Sequence, residues 1–126
     1  MKPQTALAVK KVGRNRIASV PTERNPALIY LASLSATGRR SMRVLLEKVA
    51  RLAGHDLDAA WSGMRFEHVA AFRSRLVEEG HAPATVNATL SALRGVARAA
   101  WHLGQITGED YQRIAAVKGV RGERLP

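Results

Sequence analysis

Apolar residues in this chain recur at helical spacing and nowhere alternate with polar ones at a period of two, so every regular element the pattern predicts is a helix. The clearest stretch is APATVNATLSALRGVARAAWHLG (Ala82–Gly104). Val86, Leu90, Leu93, Val96, Ala97, Ala100 and Trp101 form an apolar stripe along it, while Asn87, Ser91, Arg94 and Arg98 form a second stripe of amide, hydroxyl and guanidinium with no acid among them. Pro83 suits its first turn and Gly104 its end.

Three helices are expected before it. Asn25 is a good N-cap with Pro26 at the first helical position, and Leu28, Leu31 and Leu34 follow in register. After a break at SATG, Ser35 or Thr37 can cap a second helix whose stripe is Met42, Leu45, Leu46, Val49, Leu52 and Ala53, ending at Gly54. His55–Met64 reads as a connection with Trp61 as a lid on the core. A third helix carries Phe66, Val69, Phe72 or Arg73, Leu76 and Val77 and stops at Gly80. A short fifth helix starts at Thr107, with Asp110 placed for a capping-box-like arrangement. The expected fold is all-α: a small bundle of four helices plus a short fifth.

This pattern divides the chain into a basic N-terminal arm over 1–24, broken by Pro3 and Pro21 and expected to be flexible, a helical domain over 25–117, and a polar C-terminal run over 118–126 that reads as a linker. At 126 residues there is room for one ordinary core. Charge changes the picture most. Twenty Lys and Arg against ten Asp and Glu give a net charge of +10, with an isoelectric point near 11.3, the balance expected of a nucleic-acid-binding domain. There is no cysteine, so disulfides and thiolate metal sites are excluded and a reducing compartment is suited. No apolar run approaches the roughly 18 residues of a membrane span. The N-terminus lacks the hydrophobic block of a secretory signal; its basic, acid-free character is a little closer to a mitochondrial presequence. An intracellular, soluble chain is expected.

Catalytic chemistry finds little support. His55, His68, His81 and His102 do not pair at metal-ligand spacing on an expected helix, and no metal or cofactor is expected. Glu78–Glu79 and Glu109–Asp110 are sequence neighbours, whose side chains diverge on a helix. No nucleophile elbow, P-loop or dinucleotide fingerprint is present, and GVRG (Gly119–Gly122) is too short to count as one. No enzyme activity and no small-molecule substrate are expected of this sequence.

The order and spacing of several short elements resemble the SAM-like core-binding domain of tyrosine recombinases, the phage-integrase family. Thr85, Val86 and Asn87, then Leu90 to Arg94, then Leu103, Gly104 and Ile106 match its Thr-(Ile/Val)-Asn, Leu-Ser-Ala-Leu-Arg and Gly-x-Ile pattern. TGRRSMRVLLEKVARLAG resembles the family's second helix, and MRFEHVAAFRSRLVEEGHAPAT its third helix and the following turn. The likeness spans about residues 25–117. Ala82 departs from a capping Ser, and Met42 and Arg43 from a common aromatic. The catalytic domain of the family is not in this sequence, so 118–126 is expected to be the start of the linker to it.

The resemblance implies half of a clamp on duplex DNA, with the second and fourth helices at the major groove and strand cleavage done by the other domain. Arg39, Arg40 and Arg43 would pair phosphates or reach a guanine edge; Asn87 and Ser91, beside Thr85, would approach bases, Asn87 reading adenine; Arg94 and Arg98 would touch base or backbone; Lys118 and Arg121 would follow the backbone. The expected partners are double-stranded DNA and, for a full-length recombinase, other protomers in a tetramer on DNA. The expected location is the prokaryotic cytoplasm, on DNA. Two alternatives stand beside it. One is a basic helical module that docks an acidic protein, which an exposed apolar patch would favour. The other is an RNA-binding helical domain, which exposed aromatics would favour.

Overall fold

The computed structural model describes residues 22–58 and 60–121. Five helices appear in the expected order: α1 (Pro26–Ala32), α2 (Ala36–Leu52), α3 (Phe66–Glu78), α4 (Pro83–His102) and α5 (Gly108–Ala115). Short 3-10 turns at Thr22–Arg24 and Trp61–Gly63 complete the regular structure, and no strand is formed among the described residues. The chain is a small all-α bundle. No described helix is long and apolar enough to cross a membrane, and the described residues hold no cluster of three or more metal-ligating side chains. The arm over 1–21 and residues 122–126 lie outside the described residues; residues 22–24 of the expected arm form a turn whose Arg24 carbonyl accepts from Gln105 Nε2 at 2.8 Å.

Helices α1, α2 and α5 each start on a side-chain cap. Asn25 is fully buried, and its Oδ1 accepts from the N–H groups of Ala27 (2.9 Å) and Leu28 (3.2 Å), two of the donors a helix start leaves unpaired. Its Nδ2 donates to the Leu57 carbonyl at 3.1 Å, which also accepts from Trp61 Nε1 at 3.0 Å. One buried carbonyl thus ties the α2–α3 connection to the start of α1 and seats Trp61, which is 1% exposed, as the expected lid. Of the two caps open for α2, Ser35 is the one used: its hydroxyl accepts from Gly38 N–H. Thr107 caps α5 through Asp110 N–H, yet the reciprocal half of a capping box is not made. The Asp110 carboxylate turns instead to Arg65 at 3.3 Å and Arg113 at 3.8 Å, fixing the start of α3 against α5. No side chain caps α4 at Ala82.

Helix α4 touches every other helix. Val86, Leu90, Leu93, Val96, Ala97 and Ala100 are all buried on it, and Thr89, also buried, gives its hydroxyl proton to the Thr85 carbonyl at 2.8 Å. The expected stripes need three corrections at their ends. Phe66 (46% exposed) and Val77 (45%) lie at the two ends of α3, beyond reach of the core that takes Val69 and Leu76. Trp101 (39%) sits at the end of α4, stacked on Tyr111 with ring centroids 5.1 Å apart. Tyr30, from α1, lies flat in the notch left by Gly95: a Cβ at that position would overlap the ring. Burial pushes the Tyr30 hydroxyl above the usual tyrosine pKa.

Glu79, at the end of α3, collects Arg75 (3.0 Å), His81 (3.3 Å) and Lys48 of α2 (3.6 Å). Desolvation works to raise its pKa, but the hydrogen bonds from Arg75 and His81 and the charges of Lys48 and Arg75 outweigh it and hold the carboxyl below 4.5. A depressed carboxyl contributes stability above its unfolded pKa and loses it as pH falls through its folded pKa. The Glu79→Gln variant is therefore expected to be less stable than the parent at neutral pH, with the two denaturation curves converging below pH 4.5. A gap that persists at lower pH would assign the effect to something other than this ionisation. For Gly95→Ala two terms oppose. Helix propensity gains about 1 kcal/mol, while forcing Tyr30 out of its notch costs roughly 1–3 kcal/mol. A net loss is expected in urea denaturation, and one smaller in a Tyr30→Leu background; equal losses in both would show that the ring is not the obstacle.

Candidate nucleic-acid interface

The polar stripe of α4 meets the chain that follows α5. After Ala115 the backbone does not leave the bundle but runs back across α4 and α3 as an extended strap. Arg94 donates from Nε to the Ala115 carbonyl (3.2 Å) and from Nη2 to that of Val117 (2.8 Å). Arg73, from α3, donates to the carbonyls of Lys118 (2.8 Å) and Gly119 (3.2 Å). Asn87 makes a reciprocal pair with Val120: its Nδ2 donates to the Val120 carbonyl at 2.9 Å, and its Oδ1 accepts the Val120 N–H at 2.7 Å. Val117 is buried and Val120 packs against the core, so the strap is held by apolar anchors as well as polar ones. Gly119 must be small here, because a Cβ would stand 2.6 Å from Asn87 Oδ1.

These contacts change what the expected site residues are free to do. Asn87, expected to read adenine, has both polar atoms of its amide engaged by Val120. Arg94, expected on base or backbone, grips two strap carbonyls and is half-buried. Arg39, expected to pair phosphates, donates to the Leu31 (3.0 Å) and Leu34 (2.8 Å) carbonyls and so closes the end of α1. Arg43 lies 3.3 Å from Glu47 one turn along α2. Thr85 is half-buried in the first turn of α4. Ser91 and Arg98 face outward on α4, Arg40 on α2, and Lys118 and Arg121 on the strap; all five are exposed. Of the set, the structure joins Asn87 and Arg94 of α4 to the strap that carries Lys118 and Arg121, while no hydrogen bond or ion pair among the described residues joins the α2 arginines to it. The docked strap also carries the folded part past residue 117, where the linker was expected to begin.

Sequence reasoning missed Arg73, placed ambiguously with Phe72 in the α3 register, and Gly119, seen only as half of a weak glycine pair. The available signal was Val117 and Val120, three residues apart in an otherwise polar run.

Charge is sorted along with these contacts. Among the described residues, ion pairs are formed by Arg43, Lys48, Arg65, Arg75 and Arg113 with Glu47, Glu79, Glu109 and Asp110. Arg73, Arg94, Arg98, Lys118 and Arg121 have no carboxylate within ion-pair distance among those residues, and neither do Arg24, Arg39, Arg40 and Arg51. Carbonyl oxygens hold Arg73 and Arg94 in place without cancelling their charge, so the α3–α4–strap sector keeps five cations at full strength. An anionic chain with charges repeated along its length fits such a sector better than a single small anion does.

The fork geometry of Arg94 is testable apart from any ligand. Arg94→Lys keeps the charge but cannot span the Ala115 and Val117 carbonyls together. It is expected to cost about 1–2 kcal/mol in chemical denaturation, as a hydrogen bond to a charged donor is lost. A variant of unchanged stability would show that the second guanidinium bond holds nothing.

No family model, no curated protein and no solved structure matches this chain.

Proposed function

We propose that this chain is a duplex-DNA-binding module, the core-binding half of a site-specific tyrosine recombinase that grips its recombination site as one jaw of a clamp. The observation that carries this reading is the sector of five cations, on α3, α4 and the strap, without a carboxylate partner among the described residues, in a chain of net charge +10. Guanidinium and ammonium groups whose charge no carboxylate cancels are what phosphate backbones bind, and the resemblance in motif order across residues 25–117 names the family in which a helical bundle plays that part. On this reading the chain holds DNA and contributes no catalytic group, strand cleavage belongs to a second domain, and the working location is the DNA of a prokaryotic cytoplasm. Protomers meeting on DNA as a tetramer belong to the same reading.

The structure alters the division of labour within it. Arg98 and Ser91 are the outward members of the α4 stripe and take over the groove contact, Arg40 offers the exposed guanidinium of α2, and Arg94 and Asn87 act one layer further in. The exposed Trp101, stacked on Tyr111 at the end of α4, is an observation that favours the rival protein-docking reading.

Titration of the chain onto a short DNA duplex across a salt series separates the two. About four phosphate contacts, from the exposed Arg40, Arg98, Lys118 and Arg121, predict a slope of log K against log salt near −3.6. Arg98→Ala should flatten it by about 1, while Arg113→Ala, whose charge already serves Glu109, should leave it unaltered. Binding an acidic polypeptide as tightly as duplex, with loss on Trp101→Ala rather than on Arg98→Ala, would replace the DNA reading by the protein-docking one.

A further inference from the structure

Resting on the DNA reading above, the geometry points to a second role for the α4 stripe: Arg73, Asn87 and Arg94 are positioning residues that latch the strap, and the latched strap is itself part of the phosphate-binding surface, presenting Lys118 and Arg121 as fixed cations.

The strap either masks a DNA face or builds one, and four observations favour building. All of the latch bonds go to strap backbone atoms, none to a strap side chain, so Lys118 stays exposed on a held backbone and Arg121 stays exposed one residue beyond the held Val120. Val117 is buried at 7% exposure and Val120 packs on the core, which makes the strap an integral layer of the domain rather than a cover resting on it. The latch consumes the carbonyl oxygens of Val117, Lys118, Gly119 and Val120, which would otherwise set negative dipole ends beside an approaching phosphate. Lastly, Arg73 and Arg94 keep their charge while latching, so the layer beneath the strap adds to the positive field instead of quenching it. A cation on a held backbone has less freedom to lose on binding than one on a trailing chain, which is the usual source of gain from preorganisation.

Asn87 is the residue that tests this, since it carries no charge and its loss removes no cation. In wild-type chain, removing Lys118 and Arg121 together is expected to flatten the salt slope on a random-sequence duplex by about 2. Asn87→Ala is expected to weaken duplex binding, to flatten the slope by itself, and to shrink the further loss caused by Lys118→Ala with Arg121→Ala, because a freed strap no longer presents them. Amide exchange at Val120, whose N–H Asn87 accepts, should rise in the same variant. Should Asn87→Ala disturb the fold, Gly119→Ala makes the same measurement from the strap side, leaving α4 untouched while its Cβ displaces the Asn87 amide. Full additivity of the Asn87 and Lys118/Arg121 losses overturns the latch as a positioning device, and so does binding that is unchanged or tighter in both latch variants; tighter binding would mean a mask. A wild-type chain with no salt-dependent affinity for duplex overturns the DNA reading and this surface with it, and unaltered Val120 exchange on Asn87→Ala separately removes the latch.

Discussion

Burial of α4 on nearly all sides is the constraint from which the other features of this chain follow. Nine of its residues are buried, Thr89 among them with its hydroxyl turned back onto the Thr85 carbonyl, and the polar side chains free to bond outward stand on one narrow line, Asn87, Ser91, Arg94 and Arg98. A helix so enclosed must bring its neighbours close. Tyr30 from α1 reaches the axis of α4 because position 95 has no side chain, and the run of Ala92, Ala97, Ala99 and Ala100 holds the other helices at short range. The single polar line left over then becomes the place where the chain after α5 can satisfy its own backbone. A strap of irregular chain packed on a core needs donors and acceptors for every amide it hides, and α4 and α3 supply them from Asn87, Arg94 and Arg73.

Much of this was legible in the sequence. Helix number, order and ends followed from apolar spacing and from signals with a direct cause: Asn25 before Pro26, Ser35 and Thr107 as caps, and Gly54, Gly80 and Gly104, each with φ near +80°, at the close of α2, α3 and α4. The errors lie where periodicity alone cannot say how far the core extends. Phe66, Val77 and Trp101 obey the helical register, but each sits within a turn of a helix end, where no neighbour remains to cover it. The candidate site was legible as a stripe and not as a set of partners. That Asn87, Arg94 and Arg73 would face one strap depends on how α3 and α4 lie side by side, and residues 87 and 120 are far apart in the chain. A short, glycine-containing run after the last helix carries the composition of a linker whether it leaves the domain or folds back. Only Val117 and Val120 hinted at the second outcome.

The choice of partner decides how much of each guanidinium's charge is left uncancelled. A carboxylate such as Asp110 holds Arg65 and Arg113 in place and cancels charge as it does so. A carbonyl holds Arg73 or Arg94 with comparable geometry, through a dipole that leaves the unit charge intact. The same residue type therefore cancels charge between α3 and α5 and keeps it at the strap, as it does where Arg39 closes α1 on the Leu31 and Leu34 carbonyls, and the difference lies in the acceptor. Arginine suits this double duty better than lysine, since its fork can fix two backbone carbonyls at once and is less costly to strip of water than an ammonium group. The order of this sector comes from bonds within the protein, from Arg73, Asn87 and Arg94 to the backbone of residues 117–120. That is why a neutral residue, Asn87, is as much a part of its electrostatics as any of the arginines: it carries no charge, but it fixes where Lys118 and Arg121 stand.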